Sequence, residues 1–144
     1  HLQQVGDSML ARLIPISEAA RHAMRQEVRL GHFPFRVGRE NFAEARSRVW
    51  QSIERRFARA VQGNDLTLPH PWTDDSIDVS REHFQIEHES GKFYLTDRGS
   101  ACGTIVAGRQ IGGARLGGRV ELRDYDRIVV GTASSAYVFE FRTR

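Results

Sequence analysis

Residues 80–83, Ser-Arg-Glu-His, place a hydroxyl, a guanidinium and an imidazole within four positions. A serine near a histidine could be the nucleophile and general base of a hydrolase, but such a site also requires an orienting acid and an oxyanion hole. From Phe84 onward the sequence alternates as a strand does, and positions three apart on a strand face opposite sides. The chain also has no Gly-x-Ser-x-Gly elbow. Ser80 and Arg81 therefore suit anion binding better than catalysis, and we expect no enzymatic activity.

The single cysteine and the scattered histidines give no sign of a disulfide or a metal site. Cys102 is the only cysteine, which excludes an internal disulfide and is typical of a protein from a reducing compartment. The histidines outside the 80–83 motif lack the spacing of metal ligands. They include His22, His32, His70 and His88. We therefore expect no metal, no cofactor and a cytoplasmic location.

Length and composition indicate one folded domain. The chain has 144 residues, which is enough for one domain and short for two. Its 40% hydrophobic and 27% charged residues are typical of a globular protein. No apolar run approaches the roughly 20 residues of a membrane-spanning helix. We expect residues 1–144 to form a single domain with its core at 11–142. Because the sequence begins with His1, we also expect it to be a fragment of a longer protein.

The net charge of +3 does not identify a partner. Lys92 is the only lysine among 21 Lys and Arg residues, so the positive charge is almost entirely arginine. Aspartate and glutamate are interspersed along most of the chain, whereas a nucleic-acid-binding domain concentrates its positive charge on one surface. The distribution of charge therefore does not favour nucleic acid as the partner.

The second half of the chain has the alternating pattern of half-buried β-strands. Apolar residues occupy every second position in segments 83–89, 92–97, 119–124, 126–131 and 136–141. Turns rich in Gly, Asp and Ser separate them, among them 107–113, and two earlier strands are predicted at 11–16 and 27–38. Short strands at this spacing predict a mainly β fold, an antiparallel β-sandwich or barrel.

Two segments depart from this pattern and predict helices. Ser17 can cap a short alanine-rich helix at 17–26. Between residues 41 and 62 apolar side chains recur every three or four positions, which predicts an inserted helix. Three arginines lie on its other side, and we interpret them as a solvated face rather than a partner surface. They are Arg48, Arg55 and Arg59. The segment 68–75 has two prolines and no periodicity, which predicts a loop.

Several short motifs in a fixed order give the strongest signal in the sequence. They are Gly38-Arg39, Asn64-Asp65-Leu66, Ser80-Arg81-Glu82-His83, the turn 97–104, the segment 122–131 and the aromatic strand 137–141. In this order and on predicted strands, they resemble the forkhead-associated (FHA) domain, a β-sandwich that binds phosphothreonine peptides. The resemblance extends from residue 11 to residue 142. It implies a phosphothreonine-binding interaction module that works beside a Ser/Thr kinase.

The resemblance implies a phosphate site shared between two loops. Arg39, at the end of its strand, and Ser80 would bind phosphate oxygens, and Arg81 would reach the same phosphate. Phosphothreonine carries about −1.5 to −2 charges and three acceptor oxygens at neutral pH, so guanidinium and hydroxyl groups suit it. Further peptide contacts would come from the turn 101–109 and the loop 132–136.

Other residues are implied as supports of the site rather than as ligands. A histidine at the position of His83 braces the loops of the family from beneath by hydrogen bonding to the backbone. The turn that follows needs a glycine for its backbone conformation and small hydroxyl residues for local hydrogen bonds. The supporting residues implied in this way, besides His83, are Gly38, Asp97, Ser100, Gly103 and Thr104.

The sequence departs from the family pattern at two positions of this turn. The usual pattern is Asp-x-x-Ser-x-Asn-Gly-Thr, and this chain has Ala101 and Cys102 before the final Gly-Thr. Ala101 can hold a phosphate only through its backbone N–H. Cys102 replaces an asparagine that hydrogen-bonds the peptide backbone, and losing that bond costs about 1–3 kcal/mol, or about 5- to 150-fold in affinity. Ala107, where the family often has Asn, and Tyr125, where Gly is common, are interpreted as structural variation.

These departures leave a second interpretation open. The domain could be a degenerate FHA domain that mediates a phosphate-independent protein–protein interaction, through the inserted helix or a sheet face. That helix follows directly after Arg39, so it could add a second contact surface or cover the site. The first interpretation predicts a phosphothreonine-containing partner, such as a Ser/Thr kinase or its substrate. The second predicts a protein partner whose binding does not depend on phosphate.

Overall fold

Eleven β-strands and one helix form in the part of the chain that the computed structural model describes, residues 11–24, 26–39, 64–69 and 79–143. In chain order they are β1 (Arg12–Pro15), α1 (Glu18–Met24), β2 (Val28–Arg29), β3 (Phe35–Arg39), β4 (Leu66–Leu68), β5 (Phe84–Glu89), β6 (Lys92–Asp97), β7 (Thr104–Val106), β8 (Arg109–Ile111), β9 (Gly118–Leu122), β10 (Arg127–Val130) and β11 (Val138–Arg142). The predicted mainly β fold is confirmed.

The strands form two sheets. The six-stranded sheet has the order β2-β1-β11-β10-β7-β8, and the five-stranded sheet has the order β4-β3-β5-β6-β9. Among the described pairings only β3–β4 is parallel. In the β1–β11 pair Arg12 lies opposite Arg142, so the start of β1 and the end of β11 are neighbours.

One apolar core lies between the sheets and is built from alternate strand residues. β5 buries Phe84 and Ile86, and β11 buries Phe139 and Phe141, all with no exposed area. Phe93 of β6 contacts the Phe141 ring at a centroid distance of 5.2 Å, which joins the two sheets. Each such side chain stabilises the fold by about 1.5–3 kcal/mol relative to exposure. The period of two in the sequence therefore reflects burial on one face of each strand.

The predicted short helix is present as α1, and Ser17 is its N-cap. The Ser17 hydroxyl accepts a hydrogen bond from the Ala20 N–H at 3.3 Å. It also donates to the Ala136 carbonyl at 2.6 Å and accepts from the Val138 N–H at 3.0 Å, so one side chain fastens the helix to the start of β11. In the described part of the chain no helix is long and apolar enough to cross a membrane.

Two predicted element boundaries differ from the structure. The strand predicted at 27–38 is two strands, β2 and β3, separated by residues that include Pro34, which has no N–H to donate to a ladder. The turn predicted at 107–113 contains β8. The inserted helix predicted at 41–62 lies outside the described residues, as does most of the loop predicted at 68–75.

A two-residue turn, Ala107-Gly108, joins β7 to β8. Val106 pairs with Arg109, and the φ angles of Ala107 and Gly108 are 51° and 83°. Positive φ at both central residues is the type I′ turn, which matches the twist of a hairpin and favours Asn-Gly. Alanine has no side chain that favours the left-handed conformation, which explains why the hairpin is not evident from the sequence.

We expect Ala107→Asn to raise the free energy of unfolding by about 0.5–1 kcal/mol, because Asn adopts positive φ at a lower cost than Ala. Urea unfolding of the two proteins measures the difference. Ala133→Asn is the control, since Ala133 is an exposed turn residue without positive φ, and it should change stability by less than about 0.5 kcal/mol. Equal stability of the two variants would contradict the turn assignment.

Candidate functional site

The strand ends that carry the sequence motifs meet at one edge of the sandwich. β3 and β6 end there, and β5, which pairs with both, begins there. β10 ends beside the start of β7, where Val130 pairs with Thr104, so the loop 132–136 lies at the same edge. The motifs at 38–39, 80–83 and 97–104 are therefore neighbours in space.

Arg39, the last residue of β3, is anchored to the segment that precedes β5. Its backbone N–H donates to the Ser80 carbonyl and its Nε donates to the Val79 carbonyl, both at 2.9 Å. Burial lowers the pKa of the Arg39 guanidinium, and the neighbouring charge of Arg81 lowers it further. The group is nevertheless protonated throughout the physiological range. Arg39 is thus a positive charge held in place by neutral carbonyl groups.

No carboxylate in the described residues pairs with Arg39 or Arg81. The ion pairs among those residues involve other basic groups, which are Arg12, His32, Arg98, Arg119, Arg123 and Arg142. Arg81 is exposed and Arg39 is partly exposed. Two neighbouring positive charges that no carboxylate of the described residues compensates attract an anion.

His83 is fully buried and links two loops through both ring nitrogens. Nδ1 accepts from the Ser80 backbone N–H at 2.9 Å, and Nε2 donates to the Gly103 carbonyl at 2.7 Å. Because an N–H requires an acceptor and a carbonyl requires a donor, the ring is the neutral tautomer with its proton on Nε2. Neither nitrogen can therefore act as a base toward the Ser80 hydroxyl, which accepts from the Ala101 N–H at 3.1 Å.

Gly38 lies where the chain leaves no room for a side chain. A Cβ atom at this residue would overlap the Arg81 carbonyl oxygen and lie 2.7 Å from Asn64 Nδ2. Asn64 donates from that nitrogen to the same carbonyl at 2.6 Å. Asn64 therefore holds the backbone of Arg81 close to β3. The sequence motif contains Asn64, but its spacing gave no indication of this contact.

The buried carboxylate of Asp97 organises the turn after β6. Oδ1 accepts from the N–H groups of Gly99 and Ser100 at 3.0 and 2.8 Å, and Oδ2 accepts from the hydroxyls of Ser100 and Thr104 at 2.6 and 2.8 Å. Ser100 Oγ in turn accepts from the Gly103 N–H at 2.9 Å. Asp97 is 2% exposed, and burial of its charge is tolerated because these donors surround it. The conformation of the turn therefore depends on this carboxylate.

Ala101 and Cys102 lie at the tip of the turn. Ala101 is exposed and Cys102 is half-buried. The Ala101 N–H and the Ser80 hydroxyl are within hydrogen-bond distance, so a backbone donor and a hydroxyl converge beside the two arginines. The later part of the predicted contact segment 101–109 lies away from this edge. β7 runs from the site edge toward the opposite end of the sandwich, and Ala107 follows it there.

The described residues contain no group of three or more His, Cys, Asp and Glu side chains that could hold a metal ion. His32 Nε2 lies 2.9 Å from Asp65 Oδ1, and the His88 ring lies 4.5 Å from the Phe93 ring centre. These two histidines therefore have structural contacts that do not involve the site.

The model of the FHA domain family matches residues 35–131, about two thirds of the chain. The match includes the motifs at 38–39, 80–83 and 97–104 that form the edge described above. A comparison of the sequence with curated proteins found no match.

Solved structures share the fold. Mycobacterium tuberculosis EmbR, in complex with a low affinity phosphopeptide, is 22% identical with a TM-score of 0.56; the match covers 92% of this chain and 24% of the EmbR chain. The kinase-interacting FHA domain of the Arabidopsis kinase associated protein phosphatase, KAPP, is 24% identical, with a TM-score of 0.57 and coverage of 92% and 91%. An FHA domain from an analysis of phosphothreonine-dependent FHA domain interactions is 17% identical, with a TM-score of 0.56 and coverage of 92% and 94%. The chain thus spans about a quarter of EmbR.

We expect Gly38→Ala to lower the free energy of unfolding by about 2–3 kcal/mol, because the added methyl group overlaps backbone that cannot move away as a flexible side chain would. Gly31→Ala is the matched control, since no atom lies within 4 Å of a Cβ there, and it should change stability by less than about 0.5 kcal/mol. Thermal or urea unfolding measures both. Two variants of equal stability would show that the loop is not packed against β3 as described.

Proposed function

Because the chain belongs to the FHA domain family, we propose that it is a non-enzymatic interaction module that binds phosphothreonine-containing proteins in Ser/Thr kinase signalling. One observation carries the proposal. The guanidinium groups of Arg39 and Arg81, the Ser80 hydroxyl and the Ala101 N–H lie at one edge, with no carboxylate paired to either arginine in the described residues.

The chemistry of a phosphate dianion matches this set of groups. Its charge of about −1.5 to −2 offsets the mutual repulsion of Arg39 and Arg81, and its oxygens accept from both guanidinium groups. The Ser80 hydroxyl is a donor as well as an acceptor, so it can turn its proton toward a phosphate oxygen. The Ala101 N–H, which now meets that hydroxyl, supplies a further donor from the backbone.

Similar proteins support the choice of partner. EmbR was solved with a phosphopeptide, and the KAPP domain interacts with a kinase. The proposed partner of this chain is accordingly a phosphothreonine-containing protein, such as a Ser/Thr kinase or its substrate. A cytoplasmic location, where such kinases and their substrates meet, is part of the same proposal.

We expect Arg39→Ala to weaken binding of a phosphothreonine peptide by about 10- to 150-fold, since it removes charge-assisted hydrogen bonds to the phosphate. Isothermal titration with peptides selected from a phosphothreonine library measures the effect. The unphosphorylated and phosphoserine forms of each peptide test whether binding depends on the phosphate and on threonine.

Two further variants make the Arg39 result interpretable. Arg127→Ala removes the same charge from the opposite end of the sandwich and should leave affinity unchanged. Arg81→Ala removes an exposed side chain, so a loss of affinity in this variant would not come from unfolding. Binding that is indifferent both to the phosphate and to Arg39 would overturn the proposed function.

A second candidate function is phosphate-independent binding of a protein partner. Ala101 and Cys102 favour it, because they remove a side-chain hydroxyl and an amide from the turn that would face the peptide. The two candidate functions predict different effects on peptide binding when Cys102 is replaced by asparagine.

We expect Cys102→Asn to tighten phosphothreonine-peptide binding by about 5- to 150-fold, because an amide can hydrogen-bond the peptide backbone where a thiol bonds weakly. The same titrations measure this gain. Cys102→Ala, which removes the thiol without adding an amide, should give no gain. A Cys102→Asn protein that still ignores phosphate would favour the second candidate.

A further inference from the structure

The loop 112–117 presents an exposed leucine at the edge that carries the candidate site. Leu116 is 84% exposed, and only Leu116 and Tyr125 are large exposed hydrophobic residues in the described part of the chain. The loop leaves β8 where Ile111 pairs with Thr104 and enters β9 where Gly118 pairs with Asp97. Both ends of the loop are therefore fixed beside the turn 97–104.

The backbone of this loop is in an unusual conformation. Ala114 and Arg115 are consecutive non-glycine residues with φ angles of 52° and 63°. Residues other than Gly, Asn and Asp rarely adopt the left-handed region, and they persist there only where the surrounding structure holds them. Such residues concentrate at binding sites, so this loop is a candidate for a function of its own.

Hydrogen bonds attach the loop directly to the turn that would bind phosphate. The Ala114 N–H donates to the Ala101 carbonyl at 2.9 Å, and the Arg115 N–H donates to the Ser100 carbonyl at 3.0 Å. The Leu116 N–H donates to the Gly113 carbonyl at 3.0 Å, which closes the loop on itself. The backbone of Ala101 thus accepts from the loop through its carbonyl and donates to the Ser80 hydroxyl through its N–H.

Tyr125, the other exposed hydrophobic residue, differs in its surroundings. It lies in the turn between β9 and β10 at the opposite end of the sandwich, and the Arg142 guanidinium lies 3.9 Å from its ring centre. Its hydroxyl accepts from Arg142 at 2.8 Å. Tyr125 therefore contacts Arg142 within the fold, and unlike Leu116 it lies far from the candidate site.

We infer that Leu116 and Arg115 select the residues that flank the phosphothreonine of a bound peptide. Leu116 would pack against an apolar side chain, and Arg115, which no carboxylate in the described residues pairs with, would favour an acidic one. The hydrogen bonds of Ala114 and Arg115 to the Ala101 and Ser100 carbonyls hold Leu116 beside the turn that would bind the phosphate. The selected positions are therefore close to the phosphothreonine in the peptide sequence. This inference rests on the proposed function.

An oriented phosphothreonine peptide library, bound to the wild type and to Leu116→Ser, tests it. We expect the wild type to enrich Leu, Ile, Val or Met at one position close to the phosphothreonine, and Leu116→Ser to lose that enrichment. A single peptide with the preferred residue should bind Leu116→Ser about 5- to 30-fold more weakly, whereas the same peptide with Ala there should bind both proteins within about twofold. Arg115→Gln should lower only the enrichment of Asp and Glu.

Tyr125→Ser is the matched control, because it also replaces an exposed hydrophobic residue, and it should retain the preference of the wild type. Unfolding midpoints of the variants verify that each is folded. An unchanged preference in Leu116→Ser, with binding that still requires the phosphate and Arg39, would overturn this inference alone. A wild type that binds no peptide in a phosphate-dependent way would overturn the proposed function together with it.

Discussion

One buried imidazole fixes the relative positions of the loops at the candidate site. His83 accepts from the Ser80 N–H and donates to the Gly103 carbonyl, so it connects the segment before β5 of one sheet with the segment before β7 of the other. The two nitrogens have opposite roles, and a ring in another protonation state would leave one contact unmet. An unpaired group in this buried place would cost about 1–3 kcal/mol. The approach of Ser80 to the Ala101 N–H depends on this bridge.

Among the described residues, carbonyl groups rather than carboxylates hold the arginine side chain at this edge, so its positive charge is not neutralised by them. Arg39 is held by the Val79 carbonyl, which orders the side chain without neutralising it. Glu82 is the acidic residue nearest to Arg81 in the sequence, but it pairs with Arg98 at 3.3 Å. A carboxylate would both position a guanidinium and compensate its charge, whereas a carbonyl only positions it.

Period-two patterning was sufficient to predict the strands that bury alternate residues, such as β5 with Phe84 and Ile86. It failed at β8, which has three residues, mostly exposed, after a turn whose first position is Ala107. The short sequence motifs predicted which segments lie together at the edge with the candidate site. They could not reveal the contact of Asn64 with the Arg81 carbonyl or the loop around Ala114, because both contacts join residues far apart in sequence. Such contacts follow from the tertiary fold alone.

The pairing of β1 with β11 has a mechanical consequence. Arg12 and Arg142 face each other at the end of the sandwich opposite the candidate site, in antiparallel strands. A force that pulls these two residues apart acts across the strands, so it loads the hydrogen bonds between β1 and β11 one after another rather than all at once. Tension would therefore break the hydrogen bonds between β1 and β11 in order, beginning at Arg12 and Arg142. The last bonds to break would be those near Ser17, beside the edge where a ligand would sit.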